Sequence, residues 1–148
     1  MKKIAVVAAN GKAGQLIVKE AVSRGMDVTA FVRGENKTVA EKVVVKDIMD
    51  IEAADLAGFD AVVDAFGAWT PETLVQHSAT LAHLCDCLAG TETRLLVVVG
   101  AGSLYVNPEH TMTVSDTPDF PDAFKPLAAA MAKALGELRG RGDVKWTY

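Results

Sequence analysis

Cysteine is scarce in this chain of 148 residues: there are two, Cys85 and Cys87, in "LCDCL". A C-x-C pair lacks the other ligands of a structural zinc site, and no His/Cys/Asp cluster supplies them, so no metal is expected. The two read instead as helix residues, one facing inward and one outward. No apolar run approaches the roughly 18 residues of a membrane helix, so no membrane span is expected. The chain also lacks net positive charge, with 15 Lys and Arg against 19 Asp and Glu. Nucleic-acid binders need clustered positive charge against phosphates, and that class is set aside. A net charge of −4 does not exclude a dinucleotide, whose phosphates can be met by backbone N–H groups. Internal repeats and low-complexity linkers are missing as well.

What is present is ordinary globular composition, 50% hydrophobic and 23% charged. The length fits a single domain over residues 1–148 with a core that needs no disulfide. The start, "MKKIAVV", runs straight into a strand pattern, and a cytoplasmic protein is expected.

Apolar runs alternate with amphipathic stretches along the chain. Lys3 to Ala8 is too short and apolar for anything but a buried strand. Gly11 to Arg24 changes period, with Ala13, Ile17 and Ala21 spaced by four and Leu16 beside them, which predicts a helix buried on that stripe. Gly25 stops it. "DVTAFVR", "KVVVKD", "FDAVVDAFG", "TRLLVVVG" and "DVKWTY" read as five further strands. A short helix is expected around Glu52 to Ala57. A long helix is predicted over residues 70–90, with Thr70 as N-cap, Pro71 at the first position and Leu74, Ser78, Leu81, Cys85 and Leu88 on its inner face. His77 and His83 fall off that face and read as surface residues. Residues 101–121 form a loop with three prolines, long enough to expect a functional or mobile role. The last helix spans 124–139, with Phe124, Leu127, Met131, Leu135 and Leu138 on one face. Strands that are apolar throughout and separated by helices predict a parallel α/β sheet covered on both sides. The expected architecture is a Rossmann-type doubly wound sheet in the order 3-2-1-4-5-6.

Between the first strand and first helix lies "AANGKAG", residues 8–14. In a dinucleotide-binding turn the first Gly makes the bend, the second lets the backbone approach the pyrophosphate, and the third lets helix and strand pack closely. Here the frame is Ala8, Gly11, Gly14. Ala8 is tolerable provided that residue does not need a positive φ. Asn10 adopts left-handed conformations readily and could donate its amide to a phosphate oxygen. Ala13 after Gly11-Lys12 removes the Ser/Thr of a Walker A loop. About 20 positions on, an acidic residue would hold the ribose of NAD. The second strand instead ends in Arg33, whose planar fork of donors suits a 2′-phosphate. NADP(H) is therefore preferred. Glu35, which could accept from a ribose hydroxyl, keeps NAD(H) possible.

Together, "KIAVVAANGKAGQLIVKEAVSRGMDVTAFVR", "VVVKDIMD", "LAGFDAVVDAFG" and "RLLVVVGAGSLY" resemble the atypical short-chain dehydrogenase/reductases. The NmrA-like and flavin-reductase-like members, including the biliverdin-reductase-B type, are the nearest in pattern. The departure is Ala8, where the family usually has Gly. The resemblance implies that Ala9, Asn10, Gly11, Lys12 and Ala13 face the pyrophosphate and that Arg33 meets the 2′-phosphate. It also implies that Asp47 and Ile48 flank the adenine. Ala65, Phe66 and Gly67 would run beside the ribose near the nicotinamide. Gly100, Ala101, Gly102 and Ser103 would floor the reaction site. Family members continue past the sixth strand into a segment that closes the substrate site, and the chain is expected to lack it.

The Tyr of ordinary members, with Lys four residues on, has no counterpart. Tyr105 is followed four residues later by Glu109, and Tyr148 is the last residue. Phe124 in "DAFKP" cannot carry a proton. Ser103 remains the candidate catalytic residue, able to orient an acceptor, or else a Ser that caps the loop. His110 is a loop residue, able to donate a proton or simply exposed. Hydride transfer to a flavin-like acceptor needs little acid–base help, because the cofactor carries the chemistry. Two functions follow: reduction of a flavin or similar flat acceptor, or a non-catalytic dinucleotide sensor that signals to a protein partner. An epimerase or dehydratase is weaker without the tyrosine.

Overall fold

The computed structural model describes residues 1–148. Its strands are β1 (Lys3–Val7), β2 (Asp27–Val32), β3 (Lys42–Val45), β4 (Ala61–Asp64), β5 (Arg94–Val97) and β6 (Lys145–Thr147). Its α-helices are α1 (Lys12–Ser23), α2 (Ala53–Leu56), α3 (Gln76–Leu88) and α4 (Lys125–Arg139). All strand pairs are parallel, in the order β3-β2-β1-β4-β5-β6, which is the doubly wound order expected from the alternation of elements.

Two cores flank the sheet, because successive strand residues point to opposite faces. Val6, Ala30, Val32 and Val63 pack with Val18 and Ala21 of α1 on one side. Ala5, Val7, Val62 and Leu95 pack with Leu81, Leu84 and Leu88 of α3 and Leu138 of α4 on the other. The central strands are buried. The edge strand β3 is half-exposed and begins with Lys42, paired to Asp27 at 2.8 Å. Charge at an open edge discourages pairing with another chain.

Several helix faces differ from the predicted ones, each for a packing reason. On α1 the buried residues are Gly14, Val18 and Ala21, while Ala13 and Leu16 are exposed. The stripe is rotated because Gly14 sits directly on the turn after β1. A Cβ there would lie 2.7 Å from the Ala8 carbonyl oxygen and from Ala9 Cα. Residues 71–75 form turns, so α3 begins at Gln76 rather than at Thr70. Its buried positions include His77, Thr80, Leu84 and both cysteines. Cys87 is therefore inward too, and His77 is not a surface residue. The reason is that α3 is covered on two sides, by α4 and by the segment running from residue 48 through α2. On α4, Leu135 and Leu138 are buried and Leu127 and Met131 only half-buried, while Phe124 lies in the 3-10 turn Asp122–Phe124 before the helix and is exposed. The long loop is not structureless. It holds 3-10 turns at Ala101–Ser103 and Val114–Asp116 and an antiparallel bridge between Tyr105 and Thr113.

The turn after β1 is strained at its first residue. Ala8 has φ +58°, the left-handed region that sequence reasoning required it to avoid. A left-handed non-glycine residue costs about 1–2 kcal/mol, while glycine adds about 0.4–1 kcal/mol of unfolded-state entropy. Ala8→Gly is therefore expected to raise the urea unfolding free energy by up to about 1 kcal/mol. Gly14→Ala should lower it by about 1–3 kcal/mol, since the added methyl meets backbone that cannot yield. Equal stability of wild type and Gly14→Ala would show that the helix–turn contact is not tight.

Candidate functional site

A cleft of about 1280 Å³ lies along the carboxyl ends of the strands. β1 and β4 are neighbours there, yet the chain leaves them toward opposite halves of the sheet. Open α/β sheets bind ligands at that switch point. A second cavity of about 660 Å³, lined by Leu56, Phe59, Asp60 and Thr93 among others, sits at the opposite, amino ends of β4 and β5. Topology gives it no such role.

The turn of residues 8–14 forms one wall. Ala9 is fully buried, and its N–H donates to the Phe31 carbonyl at 3.1 Å. The Gly11 N–H donates to the Ala8 carbonyl at 3.2 Å, which closes the bend. A Cβ on Gly11 would only reach ordinary contact with protein, 3.5 Å from that carbonyl. Gly11 caps α1 with no side-chain bond, and the first helical turn carries no acid. The N–H groups of Lys12, Ala13 and Gly14 have no acceptor within the chain. Unmatched donors at a helix N-terminus make an anion site. Asn10 plays a different part from the one anticipated. Its amide donates to the Glu35 carbonyl and its Oδ1 accepts from the Lys37 N–H, both at 2.8 Å. That donor is spent inside the protein rather than aimed at a phosphate.

Arg33 and Gly34, just past β2, line the next stretch. Neither Arg33 nor Lys12 joins an ion pair. Lys46 after β3 is held by Asp55 at 2.7 Å, and that pairing raises the Lys46 pKa and lowers that of Asp55. Asp47 Oδ1 accepts from the Met49 N–H at 3.0 Å, which places Asp47 and the buried Ile48 on the cleft wall.

β4 ends on Asp64, which is 4% exposed. Its carboxylate accepts from the Phe66 N–H at 3.0 Å. Burial pushes its pKa up to about 6, against the lowering effect of that bond. The Cys85 thiol and the Tyr148 phenol lie near it, and burial raises them to about 11 and about 12. Ala65, Phe66 and Gly67 then line the cleft. The His77 Nε2–H donates to the Ala68 carbonyl at 3.0 Å, and the His77 ring meets Phe66 edge to face at 5.7 Å. Past β5, Gly100, Ala101 and Gly102 line the cleft and Ser103 does not. Ser103 sits half-buried in the 3-10 turn. A Cβ on Gly102 would meet Ala128 of α4 at 3.3 Å, so this turn is packed onto the helix. Ser103 is thus next to the cleft wall in sequence but not among the residues that form it.

Of the cofactor positions anticipated, only Ala9 and Gly14 are withdrawn beneath the cleft; both support it from below. Several lining residues were missed: Leu16, Met49, Trp69, Gln76, Thr80 and Met131. For Leu16 and Met131 the signal was present but misread as core, because helical spacing shows a stripe and not what covers it. For Trp69, nothing in its neighbours marks it.

Asp64 yields a test by pH. A carboxyl whose folded pKa lies above its ordinary value stabilises the fold below that ordinary value, and the contribution is lost as pH rises through the folded pKa. Wild type should therefore lose about 2–3 kcal/mol between about pH 4 and pH 6–7 relative to Asp64→Asn. Parallel stability curves for the two proteins in urea would refute it.

Residues 8–148 match the family model described as NAD(P)H-binding. The chain is 40% identical to the uncharacterized protein YwnB of Bacillus subtilis (strain 168), over 99% of this chain and 70% of that one. It is 53% identical to SP1627 of Streptococcus pneumoniae TIGR4, a solved structure provisionally named an NADH-flavin reductase. The TM-score is 0.95, with 99% of this chain and 70% of that one covered. A Bacteroides thetaiotaomicron structure provisionally named an epimerase is 30% identical, with TM-score 0.78 over 98% of this chain and 68% of its own. The unspent N–H groups, the glycine turn and the switch-point cleft agree with a nicotinamide dinucleotide as cofactor. The chain belongs to the NAD(P)H-binding family, among the atypical, NmrA-like short-chain dehydrogenase/reductases.

Proposed function

We propose that this protein binds NADP(H) along the cleft and reduces a flat conjugated acceptor of the flavin type. The observation that carries this reading is the make-up of the cleft. It offers phosphate-holding groups at one end, and no tyrosine, histidine, serine or cysteine is among its lining residues. Its one hydroxyl, on Thr80, donates to the Gln76 carbonyl, and Lys46 is paired with Asp55. A carbonyl substrate needs a proton donor beside its reacting oxygen, and an epimerase needs a comparable relay. A flavin-like ring needs neither. The likeness to SP1627, whose provisional name is NADH-flavin reductase, supports the acceptor class.

The reduced dinucleotide, when bound, supplies the hydride. The chain's residues bind and orient. The N–H groups of Lys12 and Ala13, both on the cleft wall, donate to pyrophosphate oxygens, with the Lys12 ammonium beside them. Asp47 and Ile48 flank the adenine. The strand end at Ala65–Gly67 runs beside the ribose and nicotinamide, and Gly100–Gly102 floor the reacting centre. Arg33 takes the 2′-phosphate with its planar fork. Glu35, the residue that would have favoured NAD(H), is absent from the cleft wall. Its carbonyl instead holds Asn10.

Calorimetric titration should find NADPH bound more tightly than NADH. Arg33→Ala should weaken NADPH about tenfold and leave NADH within about twofold, the loss expected for one charge-assisted hydrogen-bonding group. Added FMN should then drive NADPH oxidation, followed by absorbance. Tight binding with no turnover across several acceptors would instead favour a sensor that acts through a protein partner. No binding of either dinucleotide would overturn both.

A further inference from the structure

Trp69 is a large side chain of the cleft that binding of the dinucleotide leaves unexplained. The residue is 72% exposed, although a large aromatic ordinarily contributes most when buried. It has no aromatic partner: the ring pairs of the protein are Phe31 with Phe59, Phe66 with His77 and Tyr105 with His110. Its position is nevertheless set. The six-membered ring lies on the backbone of Gly67, so close that a Cβ there would come within 2.6 Å of Cζ2 and 3.2 Å of Cε2.

The segment beneath the indole is pinned along its length. Asp64 takes the Phe66 N–H, His77 holds the Ala68 carbonyl, and the Thr73 hydroxyl accepts from the Thr70 N–H at 3.3 Å. An aromatic face is thus held toward the cleft in a preorganised position, which lowers the entropy cost of stacking. Phe120 and Phe124 line the same cleft from the approach to α4, and Phe124 is 57% exposed. Unpartnered aromatic faces match a ligand with a π face of its own. A sugar ring would need hydroxyl partners that these side chains do not offer.

We propose that Trp69 is the stacking platform for the flat ring of the acceptor, and that Gly67 is the seat that holds the indole in place. This deepens the reductase reading and rests on it for the identity of the reduced ring.

The probe is lumichrome, the flavin ring system without its ribityl phosphate. Trp146→Phe leaves Trp69 as the sole tryptophan. Lumichrome should quench its emission saturably. By calorimetry, Trp69→Ala should weaken lumichrome about tenfold and Trp69→Phe by no more than about threefold, in line with aromatic stacking on a flat base. Gly67→Ala, which pushes the indole off its seat, should weaken lumichrome as well. NADPH affinity and the circular dichroism spectrum of Trp69→Ala serve as the folding control. Unchanged lumichrome affinity in Trp69→Ala, or quenching that never saturates, overturns the assignment. FMN-dependent NADPH oxidation with an unchanged KM for FMN in Trp69→Ala overturns it too, and leaves the reductase reading intact. Trp69-dependent lumichrome binding without any flavin-driven turnover does the reverse.

Discussion

The contact between Gly14 and the turn after β1 governs the geometry of the cleft. It brings the first helical turn of α1 against the Ala8 carbonyl and Ala9 with no room for a methyl group. The helix N-terminus is thereby held at the carboxyl end of the central strand, and its free N–H groups open on the switch point. The same contact sets the rotation of α1. Val18 and Ala21 go into the core, while Ala13 and Leu16 turn to the cleft. A looser contact would move the donors and the cleft wall together.

A second constraint acts at the end of β4. Asp64 is buried on the side of α3, and its carboxylate replaces the ladder partner that the Phe66 N–H loses when the strand ends. His77 then holds the chain two residues further on. The polypeptide leaves the sheet along a defined path despite having no regular secondary structure from 65 to 69. Buried polar groups of this kind are costly unless satisfied, and here they specify a backbone course.

The sheet order, the strand positions and the glycine turn could be read from the sequence because they depend on local period and on glycine sterics. Residues near strand ends could be placed on the cleft for the same reason, since parallel topology decides where those ends lie. Faces of helices were less legible. Ala13 and Leu16 keep a helical spacing identical to that of core residues, and only the close packing at Gly14 decides which stripe goes inward. His77 was read as surface because it falls off the apolar stripe. Its burial depends on a carbonyl nine residues earlier and on the Phe66 ring. Ser103 is plausible by position, yet it sits half-buried in the 3-10 turn and is not among the residues that line the cleft. The conformation of Ala8 is not written in its residue type at all, since alanine disfavours it.

Asn10 joins two parts of the molecule that are distant in sequence. Its side chain bonds the loop after β2 at both Glu35 and Lys37, while Gln15 of α1 holds its carbonyl at 2.7 Å. The glycine turn and the loop that carries Arg33 are therefore a single mechanical unit. A ligand that touches both meets one rigid body rather than two independent loops, and the ordering entropy of the two loops is spent during folding instead of at binding. Cutting that staple would lower affinity even through contacts made by other residues, because two loops would then have to be ordered at the moment of association.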